Sequence, residues 1–313
     1  MTTAHRTLAA VVLACSATLL ALPSTAGAVA HTPVPAAGYW LAASDGGVFA
    51  FDAPFFGSGV APSLACSFTP QPPSTADAAH GCDGIAASAT GSGYWLVNVV
   101  RLASGFGQVP SPPQSVTDPV TVACTSLNGG AGQWAGAASS ATGGGFLLAA
   151  SNGGVLGCGD ALPVGGLADE TLAAPVVGIA STPDGDGYWM VGADGGVFAF
   201  GDAPFEGSMG GVHLAAPVVG IAPTADGGGY WLVASDGGVF AFGDARFQGS
   251  MGGRPLDAPV VGIASAGASG YWLAAADGGV FAFGDAPFEG SMVGRPLNAP
   301  VTGIAPFTPA PAG

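Results

Sequence analysis

Short apolar stretches separated by Gly and Asp dominate the chain, and they recur at a fixed distance. The string PVVGIA begins at Pro175, Pro217 and Pro259, and PVTGIA begins at Pro300, so the spacings are 42, 42 and 41 residues. A period in the low forties is typical of proteins that build one small antiparallel sheet per repeat. The pattern therefore predicts four short strands in each repeat.

Each repeat holds the same apolar and turn signals in the same order. After GIA come a loop rich in Gly and Asp, a GYW string and the string DGGVFAFGDA. Tyr, Trp, Val and Phe favour extended backbone, and Asp-Gly or Asn-Gly supplies the positive φ of a tight hairpin turn. Such turns are predicted at Asp45-Gly46, Asn152-Gly153, Asp194-Gly195, Asp236-Gly237 and Asp277-Gly278. The copy that begins at Gly93 lacks the dipeptide, so its hairpin is predicted from strand length alone.

The third strand of each repeat carries apolar side chains on both faces. Phe198 and Phe200 lie on one face, and Val197 and Ala199 lie on the other. Both faces must be covered, and outside the first thirty residues no helical periodicity offers a covering helix. Sheets that cover one another, with small Gly and Ala residues where the inner strands converge, form a β-propeller.

Six inner strands and six GYW-type strands predict six blades. The first GYW string, at Gly38, has no inner strand before it, and the last GIA string, at Gly303, has no GYW string after it. The predicted fold class is all-β: a six-bladed β-propeller of four-stranded antiparallel blades. Its C-terminal strand, residues 301–305, closes the ring by pairing with the first GYW strand, which leaves no exposed sheet edge between the ends.

The N-terminal region predicts export. His5 and Arg6 precede an apolar run over residues 8–22, and small residues end at Ala30, as in a secretory signal peptide. Cleavage after Ala30 is favoured over lipid attachment at Cys15, which remains the alternative. The predicted domains are a signal peptide (1–30), a linker (31–37), the propeller (38–306) and a Pro/Ala tail (307–313). We expect a secreted, extracellular protein that can associate with the cell wall.

Composition and charge narrow the function classes. The chain of 313 residues has no Lys, 5 Arg and 20 acidic residues, which give a formal charge of -15. Nucleic acid is excluded as a partner, because phosphate binding needs clustered Lys and Arg. A phosphate-loop or Schiff-base lysine is equally excluded, and no GxSxG or HExxH string occurs. After residue 30 no stretch is apolar enough to predict a transmembrane helix.

Four cysteines follow the signal peptide: Cys66, Cys82, Cys124 and Cys158. An even number in an exported chain predicts disulfides. Three pairings are possible, of which we favour the sequence-local one, Cys66 with Cys82 and Cys124 with Cys158. A metal site is disfavoured because no CxxC or Cys/His spacing accompanies them.

The repeats resemble those of a known family. PVVGIASTPDGDGYWMVGADGGVFAF, at residues 175–200, is similar to NHL and related six-bladed propeller repeats, although the Asn and Arg of the NHL third strand are missing. GYWLVASDGGVFAFGDA, at residues 229–245, resembles repeats of secreted actinobacterial proteins. The resemblance covers residues 38–306 and implies a propeller. Such propellers include lyases, so the resemblance alone does not select a function.

Carboxylates gather on the propeller face formed by the loops between strands one and two and between strands three and four. Asp184, Asp186 and Asp226 are the candidate metal ligands there, because calcium prefers several carboxylate and carbonyl oxygens. The alternative is that each Asp caps its own turn. Calcium is therefore a candidate ion, and no other cofactor is required.

The opposite face, which carries the Asp-Gly turns, is the preferred ligand-binding face. His213, Arg254 and Arg295 lie at related positions in the loops that join successive blades. Loops on a rigid scaffold are where binding usually develops. The alternative is that the two arginines only bridge neighbouring acids.

The tryptophans have two interpretations, ligand binding and packing. Trp134 is the candidate ligand residue, because it replaces a valine of other copies and would either line the axis or fill a packing mismatch beside Cys124. Five other tryptophans recur at one strand position, which favours packing between blades over sugar stacking. They are Trp40, Trp95, Trp189, Trp231 and Trp272.

These features predict a secreted or cell-surface, non-catalytic binding or scaffold module. Its expected partner is an extracellular protein or glycan, in solution or in the cell wall, and we expect a monomer. The alternative is a propeller-type hydrolase or lyase with an axial, metal-assisted site. That enzyme would use a histidine, His31, His80 or His213, although none has a repeated acidic partner to orient it.

Overall fold

The computed structural model describes residues 37–60, 82–98, 102–109, 124–127, 133–267 and 269–309. Within these ranges the chain forms nineteen β-strands and no helix, so no helix there is long and apolar enough to cross a membrane. The strands build six antiparallel sheets, and each sheet's innermost strand contacts those of the next and the previous sheet. These contacts close into a ring, so the protein is a six-bladed β-propeller, as predicted.

In chain order the strands are β1 (Gly38–Ala43), β2 (Val48–Phe51), β3 (Cys82–Ala87), β4 (Gly93–Asn98), β5 (Leu102–Gly107), β6 (Cys124–Leu127), β7 (Trp134–Ser139), β8 (Phe146–Ala150), β9 (Val155–Cys158), β10 (Val176–Ser181), β11 (Gly187–Gly192), β12 (Val197–Gly201), β13 (Val218–Pro223), β14 (Gly229–Ala234), β15 (Val239–Gly243), β16 (Val260–Ser265), β17 (Tyr271–Ala275), β18 (Val280–Phe283) and β19 (Val301–Phe307). From the axis outward, blade 1 is β19-β1-β2, blade 2 is β3-β4-β5, blade 3 is β7-β8-β9-β6, blade 4 is β10-β11-β12, blade 5 is β13-β14-β15 and blade 6 is β16-β17-β18.

Closure by the C-terminal strand is confirmed. β19 pairs antiparallel with β1, from Val301 opposite Ala43 to Phe307 opposite Gly38. The pairing runs two residues further than predicted. The last strand of the chain is therefore the innermost strand of the first blade.

Close approach of neighbouring blades accounts for one small residue of the inner strands, Gly136. A Cβ atom on Gly136 would lie 3.0 Å from the Cα of Gly178 in the next blade. That distance is shorter than ordinary van der Waals contact, so a larger residue would push the blades apart.

The middle strand of each blade forms the core. All six residues of β11 are buried, and so are those of β14. The five tryptophans of the GYW strings are 0% exposed. Packing between blades is therefore confirmed as their role, and the sugar-stacking alternative is wrong.

The predicted hairpins form, but with a different turn. The N–H of Gly46 donates to the carbonyl of Ala43 at 2.9 Å, and only Gly46 of the Asp-Gly pair has a positive φ, of 84°. This is the three-residue form of hairpin, in which a Gly bulge follows a turn. Asp45 contributes through its side chain, which accepts the N–H of Gly47 at 2.9 Å. In blade 2, β4 and β5 pair as predicted, and the turn between them lies outside the described residues.

The prediction of four strands per blade is wrong for five of the six described sheets, which have three. After β12 the chain passes through Pro204, which has no N–H to donate, and Gly207, whose φ of 128° breaks the pleat. Blade 3 does have a fourth strand. It is β6, which precedes the blade in the chain and pairs with β9.

A repeated pair of hydrogen bonds fastens the segment after the third strand. Trp189 Nε1 donates to the carbonyl of Pro204 in its own blade, at 2.7 Å. Tyr230 of the next blade donates its hydroxyl to the carbonyl of Gly207, at 2.6 Å. The segment is thus held by a tryptophan of its own blade and a tyrosine of the neighbouring blade. We call this arrangement the seam latch.

Candidate functional site

A cavity of about 430 Å³ lies on the propeller axis, where all six inner strands contribute to its wall. Five blades place an isoleucine there, and blade 3 places the smaller Ala137. The remaining wall consists of Ala, Pro, Gly, Ser and Thr. None of the described residues that line this cavity carries a titratable side chain.

Hydroxyl groups at the rim of the cavity are used by the fold. Thr182 Oγ1 accepts the N–H of Gly187 at 3.0 Å, and Thr224 Oγ1 accepts the N–H of Gly229 at the same distance. Both threonines are at least nine-tenths buried. These hydroxyls therefore fix the hairpin between the inner and middle strands.

The candidate metal ligands are divided between two blades. Asp184 and Asp186 lie with Asp202, and one carboxylate oxygen from each falls within 4.8 Å of the others. Asp226 lies in the next blade, where Thr224 Oγ1 donates to it at 2.8 Å and lies 3.1 Å from Asp244. Asp226 thus does not belong to the cluster of the other two. Asp202 completes it, and the available signal was its place in the acidic GDA string on the same face.

The electrostatics of this cluster reflect its crowding. Thr182 Oγ1 donates to Asp184 at 2.7 Å and thereby lowers the pKa of that carboxyl. Desolvation and the negative charge of Asp184 raise the pKa of Asp202. The N–H of Asp186 also approaches Asp184, at 3.3 Å. Asp184 has the contacts of a turn-capping residue, so calcium binding at the cluster stays a prediction.

The predicted cationic residues lie at the other end of the propeller. His213, Arg254 and Arg295 are exposed, in the connections that follow Met209, Met251 and Met292. These methionines donate their N–H groups to the Asp-Gly turns; the bond from Met251 to Gly237 is 2.9 Å long. The structure confirms that these connections lie beside the turns. It does not bring them together with the aspartates or with the axial cavity.

Trp134 lies in the seam between blades 2 and 3. It is half-buried and packs against a cluster that includes Trp95, Val97 and Phe146. It is not among the residues that line the axial cavity. This placement matches the packing alternative.

The cysteines are described only in part. Cys82 and Cys158 are buried, and each is disulfide-bonded. Cys158 lies opposite Cys124 in the register of β9 and β6. Cys66 and two of the three candidate histidines, His31 and His80, lie outside the described residues. The predicted pairing therefore stays a prediction.

Sequence reasoning missed one exposed feature. Four phenylalanines in the segments after the third strands are 59–60% exposed: Phe55, Phe205, Phe247 and Phe288. The available signal was a Phe that recurs at one position outside the alternating strand pattern, two residues before a Gly.

The fold and the cavity define a propeller, and comparison with known proteins adds little beyond that class. No family model matches the chain, and no curated protein matches it. Among solved structures, a chain in the crystal structure of a nidogen/laminin complex is similar, with a TM-score of 0.53 and 12% identity. The similarity covers 86% of this chain and 98% of that chain. At this identity it shows the fold alone, and a propeller supports many functions.

Proposed function

We propose that this protein is a secreted or cell-surface binding module that recognises an extracellular or cell-wall partner without chemical turnover. The observation that carries the proposal is the wall of the axial cavity, whose described residues offer apolar groups and hydroxyls and no titratable side chain. General acid–base catalysis needs a proton-carrying group within hydrogen-bond reach of the substrate. A cavity of this composition suits binding.

Two further features support an extracellular binding role. The N-terminal thirty residues have the pattern of a signal peptide, and the repeats resemble those of secreted actinobacterial proteins. The similar solved chain comes from a complex of nidogen with laminin. By analogy with that complex we propose a protein partner. A glycan partner and a monomeric propeller are proposed from the sequence alone.

The second candidate function is a metal-assisted hydrolase or lyase. The cluster of Asp184, Asp186 and Asp202 favours it, because three carboxylates suit calcium and Thr182 links the cluster to the cavity wall. Millimolar calcium should then raise the melting temperature of the protein. Asp186→Asn should remove that increase. Asp226→Asn is the matched control, because in that blade Gly228 stands at the position of Asp186 and only Asp226 and Asp244 remain.

The decisive experiment applies purified residues 31–313 to an array of glycans, peptidoglycan fragments and extracellular proteins. The same preparation is tested in parallel on esters and lactones, with calcium or with a chelator. We expect binding on the array and no hydrolysis on the panel. If the protein hydrolyses a substrate, and Asp186→Asn or His213→Ala abolishes that activity, the binding proposal is wrong and the enzymatic function replaces it.

A further inference from the structure

We propose that the outer circumference of four consecutive blades is a docking surface for a basic polypeptide segment that carries apolar side chains. This inference rests on the proposed function, because it names the surface and the class of partner of the same binding module. Four exposed phenylalanines define the surface, which we call the phenylalanine arc. In order around the ring they are Phe205, Phe247, Phe288 and Phe55.

The backbone beside each phenylalanine of the arc is anchored by hydrogen bonds. Phe247 stands between Arg246, whose carbonyl accepts Trp231 Nε1 at 2.9 Å, and Gln248, whose N–H donates to the hydroxyl of Tyr271 at 3.1 Å. The same hydroxyl donates to the carbonyl of Gly249 at 2.6 Å. The backbone on both sides of the phenylalanine is thus anchored to the core.

Close packing reinforces these hydrogen bonds. Gly249 has a φ of 129°, and a Cβ atom there would lie 2.8 Å from the ring of Phe283 in the next blade. Gly207 packs in the same way against Phe242. The backbone beneath the exposed rings therefore needs little further ordering when a partner covers them, which favours binding.

The four phenylalanines of the arc lie on consecutive blades. Blades 4, 5, 6 and 1 are neighbours, and each displays one phenylalanine. Blade 3 has Pro163 at the equivalent position, flanked by exposed Leu162 and Val164. Single exposed apolar residues need no explanation, whereas the recurrence of an exposed phenylalanine at one position in four blades supports an interaction surface.

Charge identifies the class of partner. The four segments that carry the arc contain six acidic residues and one arginine, Arg246. The acids are Asp52, Asp202, Glu206, Asp244, Asp285 and Glu289. A second copy of this chain, at a formal charge of -15, would be repelled, and so would an anionic membrane. A basic segment with apolar side chains is complementary both to the rings and to the carboxylates.

The test measures binding of a labelled peptide of alternating Lys and Leu by fluorescence anisotropy, with a peptide of alternating Glu and Leu as the charge control. The variant Phe205→Ser/Phe247→Ser/Phe288→Ser leaves the net charge unchanged. Val212→Ser/Val293→Ser is the matched control, because these valines are 53% and 61% exposed outside the arc. Near-ultraviolet circular dichroism checks that each variant is folded, and the three single Phe→Ser variants replace the triple one if it is not.

We expect the triple variant to bind the Lys/Leu peptide about tenfold more weakly than the wild type, and each single variant to show part of that loss. The valine variant should bind like the wild type, and the Glu/Leu peptide should not bind. Equal peptide binding by the triple variant and the wild type would overturn the proposed docking surface. So would either of two other results: that the wild type forms a dimer which the triple variant alone loses, or that it binds a neutral glycan which the triple variant alone fails to bind. If the wild type binds an array ligand independently of the arc, only this inference fails; if it binds no partner at all, the proposed function fails.

Discussion

Two seams of the propeller have the same ring spacing but different chemistry. Between blades 5 and 6, the rings of Trp231 and Tyr271 lie 5.2 Å apart. Between blades 2 and 3, the rings of Trp95 and Phe146 also lie 5.2 Å apart. The distance between the aromatic rings is therefore the same at the two seams. The hydroxyl of Tyr271 forms two hydrogen bonds at the seam between blades 5 and 6. The seam between blades 2 and 3 lacks their equivalent, because Phe146 has no hydroxyl.

Blade 3 departs from the other blades in further ways. Leu147 takes the place of the tryptophan, so no indole N–H is available to hold the segment that follows. In compensation, the blade has the extra strand β6, paired with β9, and the buried, disulfide-bonded Cys158 lies at the end of that pairing. The comparison teaches that the regular seams carry the latch, whereas the divergent blade has an added strand and, in our prediction, a disulfide between Cys124 and Cys158.

Removing the strand that closes the ring should lower the stability of the protein more than any other change. Deletion of residues 299–313 removes β19, whose Val301 and Ala305 are at most 2% exposed, and leaves β1 without its partner strand. We expect little folded, soluble protein, because the exposed edge and the lost core both oppose folding. Expression yield and thermal melting measure it. Deletion of residues 310–313 is the control, and a 299–313 deletion that melts like the full chain would refute closure.

The disulfide of the divergent blade comes next. If Cys124 pairs with Cys158, the closed loop of 34 residues stabilises the fold by about 4 kcal/mol in the chain-entropy estimate. In the double variant Cys124→Ser/Cys158→Ser, the free energy of unfolding measured in urea should fall by that amount. Peptide mapping without reduction identifies the partners, and four alkylatable thiols in the mature protein would show that no disulfide exists.

Removing one latch should cost less. Tyr271→Phe copies the chemistry of Phe146 into a regular seam and leaves the N–H of Gln248 without its acceptor. We expect a loss of about 1–3 kcal/mol in the free energy of unfolding. Phe247→Leu changes an exposed side chain between the same hydrogen bonds, so it should stay within about 0.5 kcal/mol of the wild type. Equal effects of the two substitutions would show that the latch does not stabilise the seam.

Alkaline titration of the tyrosine hydroxyls tests all the seam latches together. Burial raises the pKa of Tyr39 and of Tyr94 from 10.0 to about 12. Since the folded protein holds these protons more tightly than the unfolded chain, their stabilisation is complete below pH 10 and declines as the pH rises towards 12. Tyrosinate absorbance and circular dichroism should therefore change together. Tyrosines that ionise near pH 10 in a protein that stays folded would contradict burial of the hydroxyls.

Much of the fold could be predicted because each repeat encodes its own blade. The Gly and Ala of the inner strands and the unmatched strings at Gly38 and Gly303 were sufficient to predict six blades and their closure. The three-stranded blades were missed because a period in the low forties leaves enough residues for a fourth strand, and the period does not show that Pro204 and Gly207 break the pleat after β12. What holds that segment is a tyrosine about 23 residues later in the next blade, a contact that no local pattern shows.

The candidate site was less accessible to sequence reasoning. Asp184 and Asp186 were assigned to the correct loop, but which third carboxylate joins them depends on how blade 4 folds. The exposure of Phe205 could not be distinguished from burial, since the same residue type in β12 is packed in a seam. Whether these surfaces bind a partner depends on molecules that this sequence does not encode.

The most direct test of the central claim, that this propeller binds without turnover, is to recover the ligand after binding. The best partner from the array is incubated with a stoichiometric amount of mature protein for many hours and then analysed by mass spectrometry. We predict that the partner is recovered with its mass unchanged and still bound with its original affinity. A product whose formation requires the folded protein would contradict the claim.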